Sequence, residues 1–128
     1  MNSLSIVFIQ QDAIDVNIND IKGGIEVIFK GTIEDKNPAP YLTPLFNDIH
    51  TKVVESYTKL VELDVRDLTF LNSSGIRCFI QWVAQIPKTP KDKRYHLKIK
   101  ISKHILWQEN SFNLFKSIEP HHISIDKS

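Results

Sequence analysis

The chain has 128 residues, 41% of them hydrophobic and 24% charged, with 16 Lys+Arg against 15 Asp+Glu and a single cysteine. One core at that length buries roughly two thirds of the unfolded chain's surface, so a single domain over residues 1–128 is expected to hold without a structural metal, and the lone Cys78 excludes an internal disulfide. No apolar run approaches the roughly 20 residues that cross a bilayer, and no basic stretch leads into a long apolar one at the start, so a cytoplasmic protein without membrane association is expected.

The net charge of +1 is a cancellation, because residues 1–67 hold eleven acidic and six basic side chains while residues 68–128 hold four acidic and ten basic ones. A near-zero total gives no general attraction to nucleic acid or acidic lipid. Residues 4–10, rich in Ile, Val and Phe, read as a short extra strand within an N-terminal extension over residues 1–12. Ile14, Val16 and Ile18 then alternate with Asp15, Asn17 and Asn19, the period of a half-buried strand. Lys22-Gly23-Gly24 supplies a tight turn, and Ile25, Val27 and Phe29 mark the returning strand of an antiparallel hairpin that runs to Ile33.

Residues 34–41 carry Asp, Lys, Asn and two prolines and read as a connection. Thr43 is the expected N-cap of a first helix, with Pro44 in its first turn and an apolar stripe of Leu42, Leu45, Phe46, Ile49, Val53 and Tyr57. Residues 61–66 alternate strictly and lead through Leu68, Phe70 and Leu71 into Asn72-Ser73-Ser74-Gly75, after which Ile76, Phe79, Ile80 and Val83 mark a second helix ended by Pro87. Leu97, Ile99 and Ile101 alternate with His96, Lys98 and Lys100, so one face of this strand meets water. A sheet covered by helices on both faces would show near-continuous apolar strands instead. Residues 104–118 read as a turn and a short helix interrupted at Asn110-Ser111, and residues 122–126 as a last edge strand. The order β-β-β-α-β-α-β-α-β predicts an α/β fold of two layers, a mixed sheet with helices packed mainly on one face.

Asn72-Ser73-Ser74-Gly75 places two hydroxyls at a helix N-terminus, where unpaired N–H groups and the positive end of the helix dipole favour an anion. Read from composition, the motif is a turn and cap. The same site would also stabilise a phosphate carried by a serine. The run Val61-Glu62-Leu63-Asp64-Val65-Arg66-Asp67-Leu68-Thr69-Phe70-Leu71-Asn72-Ser73-Ser74-Gly75-Ile76 resembles the central signature of STAS domains, in particular the bacterial anti-sigma-factor antagonists. That resemblance implies a STAS-like fold and a non-enzymatic, partner-switching role in transcription regulation. It implies protein partners too: a serine kinase that is also an anti-sigma factor, and a phosphatase. Position by position, it makes Ser73 the phosphoacceptor and Ser74 the second hydroxyl, with Gly75 the close turn into the helix. Ile76 and the helix it begins lie beside the docking surface. Asn72 departs from the family's usual Asp, so a constitutive protein- or small-ligand-binding module that is never phosphorylated stays open.

Trp82, with Arg77 and Gln81 beside it, is read as a docking residue on the second helix, the rival being a wide apolar face turned to a neighbouring element. The basic residues Lys88, Lys91, Lys93, Arg94, Lys98, Lys100 and Lys103, with Asp92 as the one acid among them, read as a solvated loop and strand face. Only Tyr95 interleaves them, too few rings for a nucleic-acid platform. No metal site is expected from the scattered histidines, and no cofactor or catalytic residue is assigned. A small serine hydrolase using Ser73 or Ser74 would need a base from a distant loop, such as His104.

Overall fold

The computed structural model describes residues 2–8 and 10–128. Its elements are β1 (Ile14–Ile21), β2 (Gly24–Ile33), α1 (Ala39–Glu55), β3 (Leu60–Leu71), α2 (Ser73–Val83), β4 (His96–Ile101), α3 (Leu106–Ile118) and β5 (Ile123–Lys127), with a 3-10 turn at Lys91–Lys93. The five strands lie side by side in chain order. β1 and β2 are antiparallel, with Ile21 opposite Gly24. Gly23 takes the two-residue turn between them at φ +88°, a conformation closed to most side chains. β2, β3, β4 and β5 are mutually parallel, with Leu63 opposite Val27 and Ile99.

All three helices cover one face. Phe29 on β2, Phe46 on α1, Phe79 on α2 and Phe112 and Phe115 on α3 share one aromatic cluster, with centroids 4.7 Å apart for Phe46 and Phe79 and 5.8 Å for Phe79 and Phe112. The other face carries ion pairs, Glu62 to Lys100 at 3.0 Å, Asp64 to Arg66 at 2.7 Å and Lys98 to Asp126 at 3.9 Å. The alternation of β4, with Leu97, Ile99 and Ile101 buried and His96, Lys98 and Lys100 only half-buried, predicts this layering, and the helices all lie on the apolar side.

Four expectations need correction. Residues 2–8 form no strand, because side chains take their backbone groups: Asn2 Oδ1 accepts from the Ile6 N–H at 2.9 Å, Asn2 Nδ2 donates to the Ile6 carbonyl at 2.8 Å, and Lys52 donates to the Ser5 carbonyl. Ile6 is thereby set into the core, while Ile9 lies outside the described residues. α1 begins at Ala39 with Pro38 at its N-cap, so Thr43 lies inside the helix and Pro44 in its second turn, and the stripe ends at Val53. Tyr57 is exposed. Finally, α3 is continuous, with Asn110 exposed and Ser111 half-buried inside it and neither interrupting it.

Candidate functional site

β3 outruns β4: their pairing ends at Asp64 and Lys100, while β3 continues to Leu71 beside Ile33 of β2. The backbone beyond Asp64 therefore needs other partners. Gln108, fully buried on α3, supplies them, donating through Nε2 to the carbonyls of Val65 and Leu68 at 2.6 and 2.8 Å and accepting the Ser102 N–H at 2.8 Å. Trp107 adds a hydrogen bond to the Thr69 carbonyl at 3.2 Å. The first turn of α3 thus clamps the segment that delivers the serine turn. On the open face Asp64 is steadied by Arg66. Burial pushes its carboxyl up, but hydrogen bonds from the Arg66 side chain and N–H hold it below the usual value.

At the end of β3, Asn72 caps α2. Its Oδ1 accepts the Gly75 N–H at 2.8 Å and its carbonyl accepts the Ile76 N–H at 3.0 Å. Its amide nitrogen donates to the Asp35 carbonyl at 2.7 Å, tying the loop between β2 and α1 to the helix start. An aspartate has no proton for that bond, which gives Asn72 a local reason. Gly75 is buried, and a Cβ there would lie 2.5 Å from Leu71 Cδ1 and 3.0 Å from Ile33 Cγ2, so close approach requires the glycine.

Ser73 is exposed at the first position of α2 and Ser74 is half-buried beside it. Among the described residues their N–H groups have no protein partner, and neither hydroxyl is within a hydrogen bond of a base. His104, the distant candidate, is itself exposed and joined to Ser102 only through its backbone N–H. Along α2, Ser73, Arg77 and Gln81 form an exposed line at four-residue spacing, flanked by half-buried Ile76 and Ile80.

Trp82 is not on that surface. Its indole is 1% exposed, stacks on Phe46 at 4.8 Å and donates to the Tyr95 hydroxyl at 2.9 Å. α2 is wedged between α1 and α3, so its buried arc takes in Cys78, Phe79, Trp82 and Val83 and pushes Ile76 and Ile80 to the margin. The hydrogen bonds continue outward from Tyr95 to half-buried His50 Nδ1 at 2.8 Å, from His50 Nε2 to Thr89 at 3.3 Å and from Thr89 to the Gln85 carbonyl. Burial lowers the His50 pKa and, as the leading cause, raises that of Tyr95, so both stay neutral in this chain of donors.

Sequence reasoning finds the turn but misses Asp35, which nothing local connects to Asn72, and Gln108, whose type usually signals surface. It also misses Phe70, 47% exposed two residues before Asn72, and Leu106, 83% exposed next to Trp107. Apolar grooves are modest: one of about 310 Å³ lies between residues Val7 and Phe8 and the α1 residues Tyr41 and Pro44. Beyond it a polar one of about 170 Å³ is lined by Asp12, Glu34, Asp35 and Tyr41. Among the described residues no cluster of His, Cys, Asp and Glu could hold a metal ion, and no helix is long and apolar enough to cross a membrane.

Neither a protein-family model nor a curated protein matches the sequence. A solved structure does. The crystal structure of an anti-sigma factor antagonist from Mycobacterium paratuberculosis superposes with a TM-score of 0.61, covering 89% of this chain and 86% of that one at 17% sequence identity. The resemblance carried by residues 61–76 therefore holds at the level of architecture, and this chain has the fold of an anti-sigma factor antagonist of the STAS type.

Proposed function

We propose that this protein is a cytoplasmic partner-switching regulator, binding a kinase-type anti-sigma factor through the exposed line of α2 and released or captured by phosphorylation of Ser73. The observation that carries the reading is an exposed Ser73 hydroxyl at the start of α2 beside two backbone N–H groups with no partner among the described residues. A phosphate there adds about −1.5 to −2 charges at the favourable end of the helix dipole. Arg77 stands one helical turn away, within the spacing at which side chains pair. The fold need not change. Phe70 and Leu106, exposed at the same end of the sheet, supply the apolar contact area that a protein partner buries and a small-ligand site does not require. Asn72 in place of Asp is accounted for by its bond to Asp35 and does not argue against a phosphoacceptor.

The test is phosphopeptide mapping of the protein isolated from its own cells in growth and under stress, with Ser73→Ala and Ser74→Ala expressed in parallel. One phosphate on Ser73, lost in Ser73→Ala and kept in Ser74→Ala, is expected. No phosphate under either condition, together with partner capture that Ser73→Asp leaves unchanged, would end the switch reading.

A further inference from the structure

At the end of the sheet opposite Ser73, Tyr57 occupies a costly position. α1 closes with the Tyr57 N–H bonded to the Val54 carbonyl at 3.2 Å and the Thr58 N–H to the Val53 carbonyl at 3.1 Å, the paired bonds of a Schellman ending. The residue at Tyr57 must then be left-handed, and its φ is +56°. Glycine takes that conformation freely, whereas a bulky side chain is strained in it. Burial does not compensate, since Tyr57 is 55% exposed. Two ammonium groups, Lys59 and Lys93, each lie over its ring 5.7 Å from the centroid. Lys59 reaches the Asp92 carbonyl, which joins the loop after α1 to the loop before β4, and exposed Lys88 and Lys91 extend the positive surface. Glu55 and Asp92 are the acids beside it. Arg94 takes no part, because its guanidinium donates to the carbonyls of Thr89 and Pro87.

We infer that Tyr57, Lys59, Lys91 and Lys93 form a second docking surface, taking a carboxylate-rich segment of a protein partner. β3 separates it from Ser73 by its 12 residues, about 40 Å at the rise of a strand, so it is distinct from the switch site. Charge selects the acid. The single ring selects protein over single-stranded nucleic acid, whose binders stack successive bases on several aromatics. Tyrosine suits the task, offering a large face and a hydroxyl at little conformational cost.

The experiment is fluorescence anisotropy of a labelled poly-glutamate peptide of about 20 residues against the full chain at low and at physiological salt. An oligo-dT strand of equal length is run alongside. Saturable binding is expected, weakened by salt, about tenfold weaker in Lys91→Glu/Lys93→Glu and several-fold weaker in Tyr57→Gly. Tyr57→Gly should melt a few degrees higher than the parent, which separates lost contact from lost folding, and Lys103→Glu, at the other end of β4, should bind as the parent does. Three results would overturn the proposal: no poly-glutamate binding, oligo-dT binding as tight, or a self-association abolished by the same variants, which would give the patch to a second copy of this chain.

Discussion

Asn72 works in both directions at once, accepting from Gly75 and donating to Asp35, and an aspartate in its place would set two oxygens face to face. The carboxylate's gain at a helix N-terminus is about 0.3–1 kcal/mol, less than the cost of an unmade bond together with that repulsion. Asn72→Asp is therefore expected to lose about 1 kcal/mol in urea titration. Gly75→Ala sets helix propensity, a gain of up to ~1 kcal/mol, against a Cβ forced onto Leu71 and Ile33. Overpacking costs about 1–3 kcal/mol, so the alanine variant should be the less stable, and a stabilised one would show that Leu71 yields freely. At Tyr95 the hydroxyl serves both Trp82 and His50. Tyr95→Phe should cost about 2 kcal/mol by the same titration, because it strands the indole N–H inside the core.

Between elements the decisive joint is α3 on the tail of β3. Gln108→Ala leaves two carbonyls and one N–H without their partner, each worth about 1 kcal/mol or more when buried. A loss of about 3 kcal/mol is expected, with hydrogen exchange quickening first at the amides around Leu68 and Asn72. None of this is legible in the sequence, since a glutamine is only shown to be buried by the strand that ends short of its neighbour. What is legible depends on period and punctuation. The hairpin follows from alternation on both sides of Lys22-Gly23-Gly24, and the serine turn from a strict strand that meets a polar break before an amphipathic helix. Trp82 reads wrongly because an apolar stripe gives the centre of one buried arc, while a helix gripped from two sides buries a wider one. Residues 4–10 mislead for a related reason: an Ile- and Val-rich run carries no information about whether a sheet edge is offered to it or whether Asn2 will take its hydrogen bonds first.

Taken whole, the molecule gathers a group of lysines at one end of its strands. The helices all end where β2, β3, β4 and β5 begin, and Lys22, Lys59, Lys91 and Lys93 gather at that end, facing the negative poles of the helix dipoles. Asp12, Glu34 and Asp35 gather at the other end. Its stability should fall with acid in two stages. Burial holds His50 below 6.5, and burial, His122 and Lys98 do the same for His96. The unfolded chain therefore takes up protons first, and the stabilisation is complete above about pH 6.5 and lost as pH falls toward the folded values. Asp64 and Glu119 are also held low, since hydrogen bonds from Arg66 and from His122 outweigh the burial that pushes each carboxyl up. They add a second loss below about pH 4. Thermal melts should be level from about pH 7 to 8, lower near pH 5.5 and lower again near pH 3.5. The strand order has a consequence in time. Because β1 to β5 pair only with their neighbours in sequence, a chain emerging from the ribosome never holds a strand whose inner partner is still unmade. The sheet can lengthen by accretion, closing one short loop at each step. The same order run backwards makes α3 and β5 the first unit to detach, so native-state exchange should find the β5 amides less protected than those of β2 and β3.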